Sequence, residues 1–412
     1  MRVLIAPDSF KGSLGAASAA AALAEGWLSA RPGDQVTRLP LADGGEGTLD
    51  VLAATVPGAR WRRAKVTGPG GAPVIARWLE LPAESPGQQG RGNGAPAEHV
   101  RGAAARSRGL PPLGAKTAVV ELARASGLPL LARPDPMGAQ TAGLGELLSR
   151  ALDAGVGGIL VGLGGSASTD GGTGALAALG ARFLDAAGEP LPSGGGALAD
   201  LAAVDLSGLR AAPGGGVTCL TDVTAPLLGA RGAAAVFGPQ KGADGAQIAR
   251  LEAGLARLAE VLGGEPAAPG AGAAGGTGYG LAAAWGASLT PGAAELGRLA
   301  GLDRALAHAD LVITGEGRFD ETSLTGKTCG TVIAAAAAAG VPVAVVAGQA
   351  SATLTGPGGV PALARVVTLA GLAGGAAAAM AAPRRWLRRA GERLANDMGA
   401  ESSRYQPENY QA

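Results

Sequence analysis

Short apolar runs that stop at Gly, Asp or Ser and give way to alanine-rich stretches limit the kinds of fold open to this chain. Four of them, Val3 to Ala6, Gly158 to Gly162, Asp310 to Thr314 and Val341 to Ala347, read as strands buried on both faces. Segments of helical composition follow them or lie between them: Ala16 to Leu28, Leu144 to Ala154, Gly174 to Phe183, Ala246 to Leu262 and Gly330 to Ala339. Strand alternating with helix predicts an α/β fold with mostly parallel sheets. A chain of 412 residues, at roughly 150 per domain, is expected to form two such domains. Only 3% of the residues are aromatic although 47% are hydrophobic, so the core must be Ala, Val and Leu at close quarters. The 72 glycines sit between hydrophobic runs, which makes them loops of a packed fold rather than a low-complexity tract.

Charge and cysteine usage exclude several classes of function. Lys and Arg number 34 against 33 Asp and Glu, so no global field draws the chain to nucleic acid or to an anionic membrane. Cys219 and Cys329 lie far apart, as do His99 and His308, which leaves neither a zinc pattern nor a disulfide framework. The first residues read as a strand rather than a signal peptide, and a reducing, cytoplasmic setting is expected. Val332 to Gly348 approaches membrane length but is broken by Gly340 and Pro342. Residues 82–114 are rich in Gly, Pro and Arg and read as a flexible surface insertion, and 401–412 as a disordered tail.

The chemistry-bearing residues collect behind the predicted strands, where α/β proteins hold ligands. Asp8, Ser9 and Lys11 follow the first strand, as either a ligand-binding set or a helix cap. Asp43-Gly44-Gly45-Glu46 spaces two acids with glycines, as a turn would; near phosphates the acids would need Mg²⁺ between them. Gly162 to Gly174 follows a buried strand and opens a helix. Its Gly164, Gly165, Ser166 and Ser168 suit an anion cradle, and Asp170 is placed to hold Mg²⁺ or to orient a hydroxyl. Asp222 lies between threonines at a strand end, and Lys241 in a tight turn. Gly270 to Gly280 reads as a second close-approach loop or as low complexity. Glu316, Arg318, Asp320 and Lys327 fall within one stretch that suits a polyphosphate. Gly326-Lys327-Thr328 has the ending of a P-loop, but the first glycine of that motif would fall on Glu321. A dinucleotide fingerprint and a Ser-His-acid triad are both lacking.

In their order these motifs resemble the bacterial glycerate kinase family of the type that phosphorylates D-glycerate at the 2-hydroxyl. The match is carried by IAPDSFKGSL (Ile5 to Leu14), PLADGGEGT (Pro40 to Thr48), VTGP (Val66 to Pro69), ASGL (Ala125 to Leu128) and GLGGSASTDGGTG (Gly162 to Gly174). It continues through TDVTAPL (Thr221 to Leu227), FGPQKGA (Phe237 to Ala243), PGAGAAGG (Pro269 to Gly276) and ITGEGRFDETSLTGK (Ile313 to Lys327). The resemblance implies two α/β domains with the active site in the cleft between them. One domain is drawn from both chain ends (1–67 plus 290–400) and the other is inserted (68–289). It also implies Mg²⁺-ATP as donor and 2-phosphoglycerate as product, some relatives being labelled 3-kinases; a homodimer is left open. Leu144, Ala225 and Thr322 depart from the residues usual in the family.

On this reading Asp170, Lys11, Asp222 and Arg318 are the catalytic set, and Asp170, Asp222 and Asp320 the metal ligands. Asp8, Ser9, Asp43, Gly44, Gly45, Gly164, Gly165, Ser166, Ser168, Lys241, Glu316 and Lys327 are expected to bind substrate and nucleotide. The alternatives are a kinase of another small hydroxylated metabolite, a 3-phosphoglycerate-forming enzyme, and a ligand-binding protein on a degenerate kinase fold. The Gly162 to Ser168 loop also looks like that of the galactokinase and homoserine kinase group, which places a proline just ahead of it. No proline lies between Leu144 and Thr173.

Overall fold

The computed structural model describes residues 1–83, 115–355 and 363–404. In chain order its strands are β1 (Arg2–Ile5), β2 (Gln35–Arg38), β3 (Arg60–Thr67), β4 (Pro73–Leu81), β5 (Thr117–Glu121), β6 (Gly158–Gly162), β7 (Arg182–Leu184), β8 (Ala203–Asp205), β9 (Val217–Leu220), β10 (Ser288–Thr290), β11 (Leu311–Phe319), β12 (Val343–Ala350) and β13 (Leu363–Thr368). The chain divides into two compact units. The first comprises Met1–Asp43, Asp50–Val56 and Pro291–Ala412, the second Gly44–Leu49 and Pro57–Thr290. Both are α/β with mostly parallel sheets, as the alternation of strand and helix predicts.

The first unit is built on a five-stranded sheet in the order β13-β12-β11-β1-β2, and every pairing in it is parallel. Successive side chains of a strand point to opposite faces. Val3 and Ile5 of β1 therefore join one core layer with Leu23, Trp27, Leu387 and Leu394. Leu4 and Ala6 join the other, with Val332, Ile333 and Ala336. Helices Ala16–Ala30 and Pro383–Arg404 supply the first layer and helix Thr328–Ala338 part of the second. Runs that are apolar at every position are what a sheet covered on both faces requires.

The second unit carries a six-stranded sheet in the order β10-β9-β6-β5-β4-β3, parallel from β10 to β5 and antiparallel at β5/β4 and β4/β3. Its core is mostly Leu, Val and Ala, with Trp78, Phe183, Tyr279 and Trp285 among the few aromatics.

Three expectations are corrected. β3 pairs with β4 along its whole length, so residues 60–67 belong to the second unit and the boundary expected at 67 moves back to 56/57. The helix expected over 174–183 ends at Ala178, because Gly180 takes φ +108° and turns the chain into β7. Residues 401–404, expected in the tail, continue the last helix, while 405–412 lie outside the described residues. The predicted insertion also lies outside them, apart from Pro82, Ala83 and nothing further up to 114. Among the described residues no helix is long and apolar enough to cross a membrane.

Candidate active site

In the first unit, sheet pairing continues past the end of β1: the amides of Ala6 and Asp8 donate to the carbonyls of Ile313 and Gly315 at 2.8 Å each. Asp8 is thereby held at the carboxyl edge of the sheet beside Glu316 of β11. It is only 7% exposed. One carboxylate oxygen accepts from Thr328 Oγ1 at 2.7 Å and the other from the Ser9 amide at 2.5 Å. Burial, reinforced by the negative charge of Asp43, still pushes the Asp8 carboxyl up to about 6. Lys11 Nζ lies 3.2 Å from Asp43 Oδ2, on a side chain 73% exposed, so its charge reaches the mouth of the site.

Glu316 is half-buried, and burial raises its carboxyl against the opposing pull of Ser323, Cys329, Lys327 and Lys11. Arg318 Nε lies 3.3 Å from Asp320 Oδ2. Asp320 caps the turn that follows, accepting from the Thr322 amide at 3.0 Å and its hydroxyl at 2.6 Å, which holds its carboxyl below the usual range. The Thr322 hydroxyl also accepts from Lys327 Nζ at 2.7 Å, so this departure from the family pattern links an acid to a cation.

Asp8, Ser9, Lys11, Asp43, Glu316, Arg318, Asp320 and Lys327 line a single cavity of about 330 Å³. All of them stood out in the sequence by residue type and by their position behind a strand. The rest of the lining did not: Gln349, Leu369, Ala376, Ala379, Met380 and Pro383 join it, together with Phe10, Ser13, Gly317 and Gly348. Gln349 ends the apolar run of β12 beside β11, and that was its only available signal. The alanine-rich wall gave none.

The second unit treats its predicted residues differently. Asp170 is fully buried. Its Oδ2 accepts from the Thr141 amide (2.9 Å), the Thr141 hydroxyl (2.7 Å) and the Gly174 amide (3.3 Å), and its Oδ1 from the Gly172 amide (3.2 Å). The carboxylate thus fixes its own loop through these four hydrogen bonds. Lys241 is 2% exposed and donates from Nζ to the carbonyl of Ser168. It too braces the loop. Ser166 and Ser168 are buried with their hydroxyls 3.3 Å apart.

The glycines expected to line a ligand here also pack closely against neighbouring residues or take a positive φ. A Cβ on Gly164 would stand 2.6 Å from Gly45 Cα, and one on Gly44 would stand 2.9 Å from Leu220 Cβ. Gly165 takes φ +74°, where a side chain is strained. From Ala273 the Gly270 to Gly280 segment runs into the helix Ala273–Trp285, whose Ala274, Gly275 and Gly276 take positive φ, and a Cβ on Gly275 would fall 2.1 Å from the Ser168 carbonyl oxygen. Asp222 follows β9 at the carboxyl edge of the second sheet.

Two structural carboxylates escaped the sequence reading. Glu121 is buried and accepts from the Leu49 amide at 2.7 Å and from Arg124 Nε at 2.8 Å. Glu146 accepts from the Thr67 amide at 3.0 Å and its hydroxyl at 2.6 Å. Of the other departures, Leu144 is fully buried in the core, and Ala225 takes part through its carbonyl, which accepts from the Gly272 amide at 3.0 Å.

Among the described residues no three His, Cys, Asp or Glu side chains are grouped as a protein-only metal cage. Mg²⁺ is ordinarily held by one or two carboxylates, with waters and phosphate oxygens supplying the rest. Asp8 and Asp43 fit that pattern, since each opposes the other's charge within one cavity.

Residues 3–399 match the glycerate kinase family. Glycerate 2-kinase of Escherichia coli K12 is 40% identical over 337 residues, which cover 79% of this chain and 80% of that protein. Glycerate kinase of Bacillus subtilis 168 is 40% identical over 363 residues, covering 85% and 86%. A crystal structure from Salmonella typhimurium LT2, assigned as glycerate kinase 2, is similar with a TM-score of 0.75 at 36% identity, covering 98% of this chain and 99% of that one. With acids and cations gathered at the carboxyl edge of a parallel sheet and a match that runs almost from end to end, this chain belongs to the glycerate kinase family.

Proposed function

We propose that the chain transfers the γ-phosphoryl group of ATP to the 2-hydroxyl of D-glycerate, giving 2-phosphoglycerate. The observation that carries this reading is the cavity of the first unit, where Lys11, Arg318 and Lys327 face Asp8, Asp43 and Glu316. Phosphoryl transfer passes through a loose transition state, so a protein accelerates it by positioning the reactants and neutralising charge. Lys11, Arg318 and Lys327 supply cationic groups for the phosphates and for the glycerate carboxylate. Asp8 and Asp43 are the residues that would hold Mg²⁺, which when bound neutralises the phosphate oxygens. Of the two other acids in the cavity, Asp320 is engaged by Thr322 and Arg318, which leaves Glu316 free of metal. Burial raises its proton affinity, which suits it to accept the proton of the attacking hydroxyl. In the second unit Asp170 and Lys241 act on the glycine-rich loop, not on the substrate.

The test is ³¹P NMR of the product formed from D-glycerate and Mg²⁺-ATP. A 2-phosphoglycerate signal is expected, with Asp43→Asn slowing the reaction by about 100-fold. A 3-phosphoglycerate signal would move the transfer to the other hydroxyl. No phosphorylated glycerate from the folded protein would overturn the reading.

A further inference from the structure

The two walls of the cavity differ in chemistry. One carries the acids and cations described above. The other is a ledge formed by Leu369, Ala376, Ala379, Met380 and Pro383. Leu369 and Ala379 are buried within the unit, at 2% and 4% exposure, whereas Met380 is 61% exposed. A single exposed apolar side chain needs no explanation on a soluble protein. Met380 is different because it borders a cavity whose neighbouring wall is apolar as well.

Glycerate gives that ledge nothing to bind. Every one of its carbons bears oxygen, so it has no apolar surface to withdraw from water, and its carboxylate, hydroxyls and incoming phosphoryl group all call for the charged wall. A cavity of about 330 Å³ is also on the scale that encloses a drug-sized ligand. Of the two reactants only the phosphoryl donor has a flat apolar part, the purine base. Gln349 lines the same cavity, paired in register with Arg318. Its carboxamide offers one acceptor and a pair of donors, the set that complements the amino group and ring nitrogen of adenine.

We propose that the ledge formed by Leu369, Ala376, Ala379, Met380 and Pro383 is the seat of the nucleotide base, with Gln349 at its edge and the polyphosphate directed to Lys11, Arg318 and Lys327. This rests on the phosphoryl-transfer reading above and adds which wall receives which reactant. Methionine suits the place, because its flexible, polarizable thioether packs well on aromatic faces. The ledge then contributes nucleotide affinity and leaves the acceptor to the charged wall.

The experiment is calorimetric titration of the full chain with ADP in the absence of any acceptor, together with KM values for ATP and for D-glycerate. Met380→Asp is expected to weaken ADP binding about tenfold and to raise KM for ATP, with KM for glycerate unchanged, while Met380→Leu stays within about twofold of the parent. Because Met380 is exposed, far-UV circular dichroism and the melting temperature should match the parent. If Met380→Asp does not fold, Gln349→Ala, at an exposed strand position, provides the second variant and should weaken ADP several-fold.

Unchanged ADP affinity overturns the proposal. If KM for glycerate rises in that case, the ledge belongs to the acceptor; if light scattering shows an altered oligomeric state, it is a contact with a second copy. ADP binding is measured without glycerate, so the two readings fail separately. A protein that loses ADP affinity in Met380→Asp yet never phosphorylates glycerate would keep the ledge and lose the substrate.

Discussion

Lys241 brings a positive charge into a site where it is 2% exposed, with its ammonium on the Ser168 carbonyl. Burial pulls that ammonium down from 10.5 to about 8, with Asp170 opposing the shift. The folded protein therefore holds this proton less tightly than the unfolded chain does. The resulting penalty is fully present below about pH 8 and is relieved as pH rises from about 8 towards 10.5. The relief amounts to about 3 kcal/mol of stability. Lys241→Met removes it, so its stability relative to the parent should be highest near neutral pH and fall as the solution is made alkaline. Urea denaturation of both proteins at neutral and alkaline pH measures this, and parallel pH dependences would show that the buried ammonium is not the source. The residue type and its turn were readable from the FGPQKGA motif. Its inward direction was not, since that is decided by a carbonyl 73 residues away in sequence.

At the level of elements, the second unit depends on two glycine-rich segments packed backbone to backbone. Gly275 takes φ +65°, and a Cβ there would lie 2.1 Å from the Ser168 carbonyl oxygen. Gly275→Ala meets both a strained backbone and a contact with main chain, which cannot swing aside as a flexible side chain would. It should cost more than about 2 kcal/mol in chemical denaturation. Gly214→Ala is the matched control, since a Cβ there meets nothing within 4 Å, and it should be neutral or stabilise by up to about 1 kcal/mol. Equal effects of the two would show that the close approach is not what the glycines serve. The sequence showed both segments, but the same letters also spelled a ligand cradle or low complexity. Only the contact between loops separates these meanings.

On the scale of the whole molecule, the two ends of the chain meet in the first unit. Helix Pro383–Arg404 packs on helix Ala16–Ala30 so closely that a Cβ on Gly26 would fall 1.8 Å from the Arg388 carbonyl oxygen, and one on Gly391 2.3 Å from that of Leu23. Leu387, Ala390 and Leu394 lie in the same core layer as Val3, Ile5 and Val346. Deleting residues 383–412 would leave that layer open to water. The truncated chain should lose hydrogen-exchange protection throughout β1 and β12 while β5 and β6 keep theirs. Protection retained in β1 would mean that the last helix is an appendage and not a wall of the core.

Taken alone, the sequence determined the α/β class, the strands that carry the site, and the charged and hydroxyl residues on one wall of the cavity except Ser13. These announce themselves locally, because an acid, a lysine or a serine directly behind an apolar run is conspicuous whatever surrounds it. The tertiary structure decided what surrounds each of them. Asp170 and Lys241 have the same chemistry as Asp43 and Lys11, yet the first two are enclosed by hydrogen-bonding backbone and the other two reach the cavity. It also decided the apolar ledge. Alanine and methionine in a helical stretch look alike whether they face a core, water or a ligand, and the difference lies in which distant segments withdraw them from solvent.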